Sequence, residues 1–214
     1  MGTTKLQLYI RACILMEQMP VSTVSDNVEV RRRLDDHYDD VLAWVMEQGF
    51  WRTGLRTAEL TLNTGVAAAF GFEYAHDIPT DFVKQYVVSA SDALHPPLDG
   101  QSNVKPYRME GGYVWANTTP IYMRYLSNDA AYGLDLTLWT EGMANGCAHE
   151  LAARAAPVVT GSTEKADKLH EEATGLISRA ATFDAMQQPT MATREGRWTG
   201  NRFASRRGNS YQRA

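Results

Sequence analysis

The sequence predicts an α+β protein: an antiparallel helix bundle with a small antiparallel β-sheet inserted in it and an extended C-terminal tail. Three observations carry this. Residues 135–188 show apolar residues at helical spacing on both sides of one short break. Between residues 53 and 125 the pattern switches to alternation, centred on Gly111-Gly112. From residue 189 onward glycines and arginines replace any periodic face.

Taken in order, Lys5 to Met16 reads as a first helix, with Leu6, Tyr9 or Ile10, and Cys13 on one side and Pro20 beyond its end. Ser25 or Asp26 can cap the next one, over 28–48. There Val30, Leu34, Tyr38, Val41, Leu42 and Val45 form an apolar stripe, and Arg32, Asp35, Asp36, Asp39 and Asp40 line the opposite side. Gly49 is its expected stop, and Phe50 and Trp51 are expected core anchors. Ala58, Leu60 and Leu62 alternate with Thr57, Glu59 and Thr61, which is strand-like, and Phe72 to Ala75 reads as another short strand. Thr80 or Asp81 should cap a short helix over 82–90 that turns Phe82, Val83, Tyr86 and Val87 inward. Pro96-Pro97 marks a rigid turn. Residues 105–125 form the clearest β segment: Tyr107 and Met109 approach the glycine pair, Tyr113 and Trp115 leave it, and Ile121 to Tyr125 alternate again. The β insertion therefore spans about 53–75 and 105–125.

The helical hairpin closes the domain. Leu136, Trp139, Met143, Cys147 and Leu151 recur at steps of three and four, and the alanines and glycines around them let another backbone come close. Pro157 should end this helix near Ala156, giving 135–156. After a Gly161-Ser162-Thr163-Glu164 turn, Ala166, Leu169, Ala173, Leu176, Ile177 and Ala180 define a second helix, 163–188, antiparallel to the first. Residues 1–188 thus read as one domain, with 189–214 as a separate basic tail.

Charge is unevenly spread. The 214-residue chain has a net charge of −4, but residues 189–214 hold six arginines (194, 197, 202, 206, 207 and 213) and one acid, Glu195. The body is left with 15 basic and 24 acidic residues. In the tail, Arg197-Trp198, Arg202-Phe203 and Arg206-Arg207 interleave cations with aromatic rings and show no helical face, the composition of a segment that gains order by docking. Arg194, Arg197, Trp198, Arg202, Phe203, Arg206 and Arg207 are the candidate docking residues.

Chemical motifs are sparse. No apolar run is long enough to span a bilayer and no signal-like segment opens the chain, so synthesis in a cytosol is expected, with Cys13 and Cys147 as buried, reduced thiols. His149-Glu150 opens like a zinc-protease motif, but Ala153 stands where the second histidine belongs, and His170-Glu171-Glu172 fails in the same way at Thr174. No metal site, cofactor or catalytic constellation is expected. The Asp35, Asp36, Asp39 and Asp40 cluster reads as a solvated helix face, and the aromatic hairpin as strand packing in preference to a base-stacking platform.

Several local patterns combine along the chain: a Met-Pro-Val-Ser loop (Met19 to Ser22), an amphipathic helix closing at Gly49-Phe50-Trp51, the run His76 to Phe82, a tyrosine-rich hairpin, two alanine-rich helices, and a tail with Gly196-Arg197-Trp198 and Asn201-Arg202-Phe203. This combination resembles the head-to-tail adaptor proteins of tailed bacteriophages, of the tail tubular A or gatekeeper type. Such adaptors often have a glycine before the Pro-Val loop, where this chain has Gln18, and its tail is longer and more basic. The resemblance implies a virion protein without catalytic residues: a ring, usually of twelve copies, beneath the portal protein, extending the DNA channel and offering a platform to the tail tube or nozzle protein. In such a ring an acidic body repels passing DNA without binding it, which makes Asp35, Asp36, Asp39 and Asp40, or the acidic side of 163–188, the expected channel-facing groups. Two other classes compete. One is a DNA-binding module gripping through the basic tail. The other is a cell-wall hydrolase with Glu141 or Glu150 as its acid, for which no second carboxylate is well placed.

Overall fold

The computed structural model describes residues 2–67, 69, 71–92 and 106–187. Its elements are α1 (Lys5–Leu15), α2 (Glu29–Gln48), β1 (Leu55–Glu59), β2 (Tyr74–Asp77), β3 (Phe82–Ser89), β4 (Tyr107–Glu110), β5 (Tyr113–Ala116), β6 (Tyr122–Ser127), α3 (Glu141–Val159) and α4 (Thr163–Met186). Short 3-10 turns sit at Arg52–Gly54 and Leu136–Leu138. The α+β class is the one expected. The turn expected at Pro96-Pro97 lies outside the described residues.

Local chemistry starts most of the helices. Thr4 and Gln7 form a reciprocal capping box at α1. Thr140 caps α3 through the Met143 amide, and Ser162 caps α4 through the Lys165 amide. Helix α2 has no side-chain cap. Asp26 instead accepts from the Ser22 and Thr23 amides at 2.6 and 2.9 Å, bracing the preceding loop.

The hairpin departs from expectation at the ends of its first helix. Residues 136–138 are a 3-10 turn, so α3 begins only at Glu141. It also runs past Pro157 to Val159, because a proline so near the end removes only the bond to the Ala153 carbonyl while the Thr160 amide still reaches Ala156 at 2.8 Å. Helix α4 ends at Met186, two residues short of the expected limit.

The larger correction concerns 82–90. This segment is strand β3. Phe82, Val83, Tyr86 and Val87 mimic a helical face because the strand is bulged twice against β6, between Phe82 and Lys84 and between Gln85 and Val87, which destroys the two-residue period. Its aromatic and β-branched residues are strand formers. Asp81 caps nothing here and serves the sheet instead, as described below.

The expected single insertion is two three-stranded antiparallel sheets, ordered β1-β6-β3 and β2-β5-β4. Gly111 and Gly112, both at positive φ (64° and 84°), make the tight β4–β5 turn. Ile121 to Tyr125, which continued that alternation in sequence, crosses to the other sheet and becomes its centre. From β6, Met123 and Tyr125 join Leu60, Val88, Val114, Ala116 and Ile121 in a core between the sheets. Leu126, one residue on, joins the helical core with Leu8, Tyr9, Leu34, Trp51, Met143 and Leu151. The β1-β6-β3 sheet is therefore a middle layer.

Trp51 is the expected anchor, fully buried with its indole N–H on the Val45 carbonyl at 2.8 Å. Phe50 is not; it is 40% exposed and lies edge-on to Tyr86. Gly49 ends α2 in extended backbone without a left-handed cap, and a Cβ there would stand 2.9 Å from the Trp51 ring.

Two glycines offer opposite outcomes. A Cβ on Gly133 would meet the Ser127 carbonyl oxygen and the Met46 methyl, whereas one on Gly175, on the outer face of α4, would meet nothing. Gly133→Ala is expected to lower unfolding free energy by about 1–3 kcal/mol through overpacking. Gly175→Ala should raise it by up to about 1 kcal/mol through helix propensity. Urea unfolding of both variants checks the pair, and equal effects would contradict the packing described.

Candidate docking and channel surfaces

The acidic face of α2 is only partly a solvent face. Asp36, Asp39 and Asp40 are exposed. Asp35 turns toward α1, where its carboxylate accepts from the Tyr9 hydroxyl, from Lys5 at 3.0 Å and from Arg31. Lys5 also lies 4.1 Å from the Tyr38 ring centroid. Burial works against the charged Asp35, yet the Tyr9 and Lys5 hydrogen bonds prevail and hold its carboxyl below the usual range. Burial and the Asp35 hydrogen bond push the Tyr9 hydroxyl up. Asp35 is thus a tie between α1 and α2, unlike the exposed Asp36, Asp39 and Asp40.

Three further carboxylates are engaged inside the fold. Asp81 accepts from Arg56 at 2.8 Å, Ser127 at 2.5 Å and Tyr125 at 3.0 Å, joining the β2–β3 turn to both other strands of the middle sheet. Its carboxyl is raised by burial but lowered more by these donors, so it sits below the ordinary value; the Tyr125 phenol, buried beside it, is pushed up to about 12. Glu150, almost wholly buried on α3, accepts from Arg154 at 2.8 Å and from the His170 ring on α4 at 2.7 Å. Asp184, equally buried at the far end of α4, accepts from the Arg52 backbone amide at 2.9 Å and pairs with its guanidinium at 3.4 Å.

These groups do structural work, because each has its oxygens filled by donors of the same chain. The hydrolase reading gains no pair. Glu141 is 68% exposed at the start of α3 and bound to Arg11, and nine residues separate it from Glu150. That is about 13 Å along a helix axis, wider than the carboxylate spacing of glycosidases. Among the described residues no group of three or more histidine, cysteine or acidic side chains could hold a metal ion. Cys13 and Cys147 are free and buried, and desolvation drives both thiols away from the reactive thiolate. The aromatic hairpin residues are shared between packing roles: Trp115 and Tyr125 are buried, and Tyr113 meets Trp115 edge-on at 6.0 Å.

The surface holds two other features. A groove of about 410 Å³ opens between α2 and β3, floored by Leu42, Met46, Phe82 and Val83 and rimmed by Asp39 and Glu47. On α4, Phe183 and Met186 lie three residues apart, 58% and 78% exposed. Leu138, 51% exposed, is at the same end of the hairpin, where Gly142 faces Ala180. Neither feature is legible from motifs, since one needs the β3 strand in place and the other the exact register of α4.

The tail docking residues Arg194, Arg197, Trp198, Arg202, Phe203, Arg206 and Arg207 lie outside the described residues. No helix among the described residues is long and apolar enough to cross a membrane. No protein-family model matches the sequence, and no curated protein matches it.

The Asp81 network makes a pH prediction. Its folded carboxyl titrates lower than the unfolded one, so its contribution is complete above about pH 3.9 and drains away as pH falls through the folded value. Urea midpoints of wild type and Asp81→Asn should differ at neutral pH and draw together as pH falls through the lowered folded value. Midpoints that stay a constant distance apart would remove the carboxylate from this role.

Proposed function

We propose that the chain is a head-to-tail adaptor of a tailed bacteriophage, acting by assembly without chemical turnover. Copies form a ring beneath the portal protein, twelve in the family pattern, extend the DNA channel and seat the tail tube or nozzle protein. The observation that carries this reading is the one-sided packing of α4. Of its 24 residues only Leu169, Ala173, Ile177, Ala180 and Asp184 are buried, all against the rest of the fold, and its last two turns present Phe183 and Met186 to solvent. An exposed apolar pair at the end of a long helix fits a surface that another subunit covers. A closed ring supplies such a cover by repeating one heterologous contact.

Electrostatics support the same reading. Asp36 and Asp40 project from α2, and Glu164, Asp167, Glu171 and Glu172 lie along the exposed side of α4. Repeated around a ring, either face lets phosphate pass with little adhesion. The alternative, a DNA-binding module, rests on the tail arginines alone; its affinity would fall steeply with salt as counterions are released.

Electron microscopy of the full chain mixed with its portal is expected to show portal-dependent rings, and deletion of residues 195–214 to abolish them. Rings that form equally well without those residues would refute tail docking. Particles carrying Asp36→Lys with Asp40→Lys should eject DNA more slowly, with single-particle ejection kinetics as the readout. Unchanged kinetics would move the channel lining away from α2.

A further inference from the structure

We propose that the groove between α2 and β3 is the receptor for the chain's own arginine–aromatic segment, residues 194–207, which binds there intramolecularly before any partner is met. The floor is apolar and the rim is acidic. Leu42 and Met46 from α2 and Phe82 and Val83 from β3 make the floor, and Asp39 and Glu47 stand above it. No described cation pairs with Asp39. Lys84 stands beside this rim: its ammonium donates to the Glu47 carbonyl at 2.9 Å, lies 4.3 Å from the Phe50 ring centroid and feels the Glu47 carboxylate as well. Residues 194–207 carry five arginines, one acid, Trp198 and Phe203, so cation and ring alternate as floor and rim do. An aromatic side chain sunk between Leu42 and Phe82 would place a neighbouring guanidinium at Asp39 or Glu47.

Geometry gives the segment access. Helix α4 ends at Met186, and Gln187 hydrogen-bonds the Arg52 guanidinium, just beyond the end of α2 at Gln48. Met46 and Glu47 belong to that last turn of α2. Residues 188–198 span up to about 35 Å when extended, longer than α2 at about 30 Å, so Arg197 and Trp198 reach every part of the groove from this exit. Tethering raises their local concentration to the order of millimolar, so a weak site is filled without help from a second molecule.

The test uses the full-length chain without any portal, so it succeeds or fails independently of the adaptor reading. A benzophenone amino acid is placed at Ala43, which lines the groove and is exposed. On irradiation at micromolar concentration, the cross-linked peptide is expected to fall within residues 194–207 and the product to keep monomer mass. Asp39→Lys with Glu47→Lys should cut that yield about fivefold or more. Arg197→Glu with Arg202→Glu, which alters no residue of the folded body, should do the same in the original background and restore the yield in the charge-reversed one. Cross-links confined to other segments, products of dimer mass, or a yield indifferent to all four charges would overturn the proposal.

Discussion

Helix α3 packs against all three other helices, and it does so because its side chains are small. Met143, Ala144, Gly146, Cys147, Ala148, Leu151, Ala152, Ala153, Ala155 and Ala156 are all buried along it. Gly142 lies against Ala180 and Gly146 against Ile177, where a Cβ would collide. Close backbone approach of this kind leaves no room for water, so any polar group taken inside must be satisfied within the protein. Glu150 is that group, and its two oxygens are divided between Arg154 on the same helix and His170 on α4. The pairing is local, yet it fixes the register of the two helices, because His170 reaches Glu150 from one turn of α4 only.

The middle sheet is the second consequence. The β1-β6-β3 sheet meets the helix block through Leu126 and Val83 while turning its other face to β2-β5-β4. Strand alternation lets β6 serve both sides, with Leu126 toward the helices and Met123 and Tyr125 toward the second sheet. Asp81 then ties Arg56 on β1 to Tyr125 and Ser127 on β6 at the mouth of β3. That knot holds Phe82 and Val83 where α2 passes, and the groove exists because the sheet edge and the helix do not close fully on each other.

Much of this was readable in advance where one physical signal dominated. The apolar stripe of α2, the hairpin around Gly111-Gly112 and the α3–α4 break at Gly161 each rest on a period or a turn residue, and each is found within a few residues of its expected place. Strand β3 imitates a helix in sequence because two bulges erase its alternation and Asp81 resembles a helix cap. The Asp35 tie is invisible for another reason: helical spacing assigns a side chain to a face, but only the position of α1 decides that Tyr9 and Lys5 meet it there. The groove and the exposed end of α4 depend on contacts between segments far apart in sequence, and no local pattern encodes them. For the tail, composition is the whole of the signal.

The acids of the body and the arginines of the tail follow one electrostatic logic. An acidic surface that lets a polyanion pass is also a surface to which a basic peptide adheres, and a chain carrying both must keep them from pairing at random. A groove rimmed by Asp39 and Glu47 and floored with apolar side chains selects a segment that offers rings as well as charge. Arginine alone gains only a screened surface pair there, whereas arginine next to tryptophan also removes apolar area from water. Asp36 and Asp40, three positions before and one after Asp39, do not line that groove. One helix can in this way present two kinds of acidic group, one suited to holding a peptide and the other to repelling phosphate, and the difference lies in what packs beside each carboxylate.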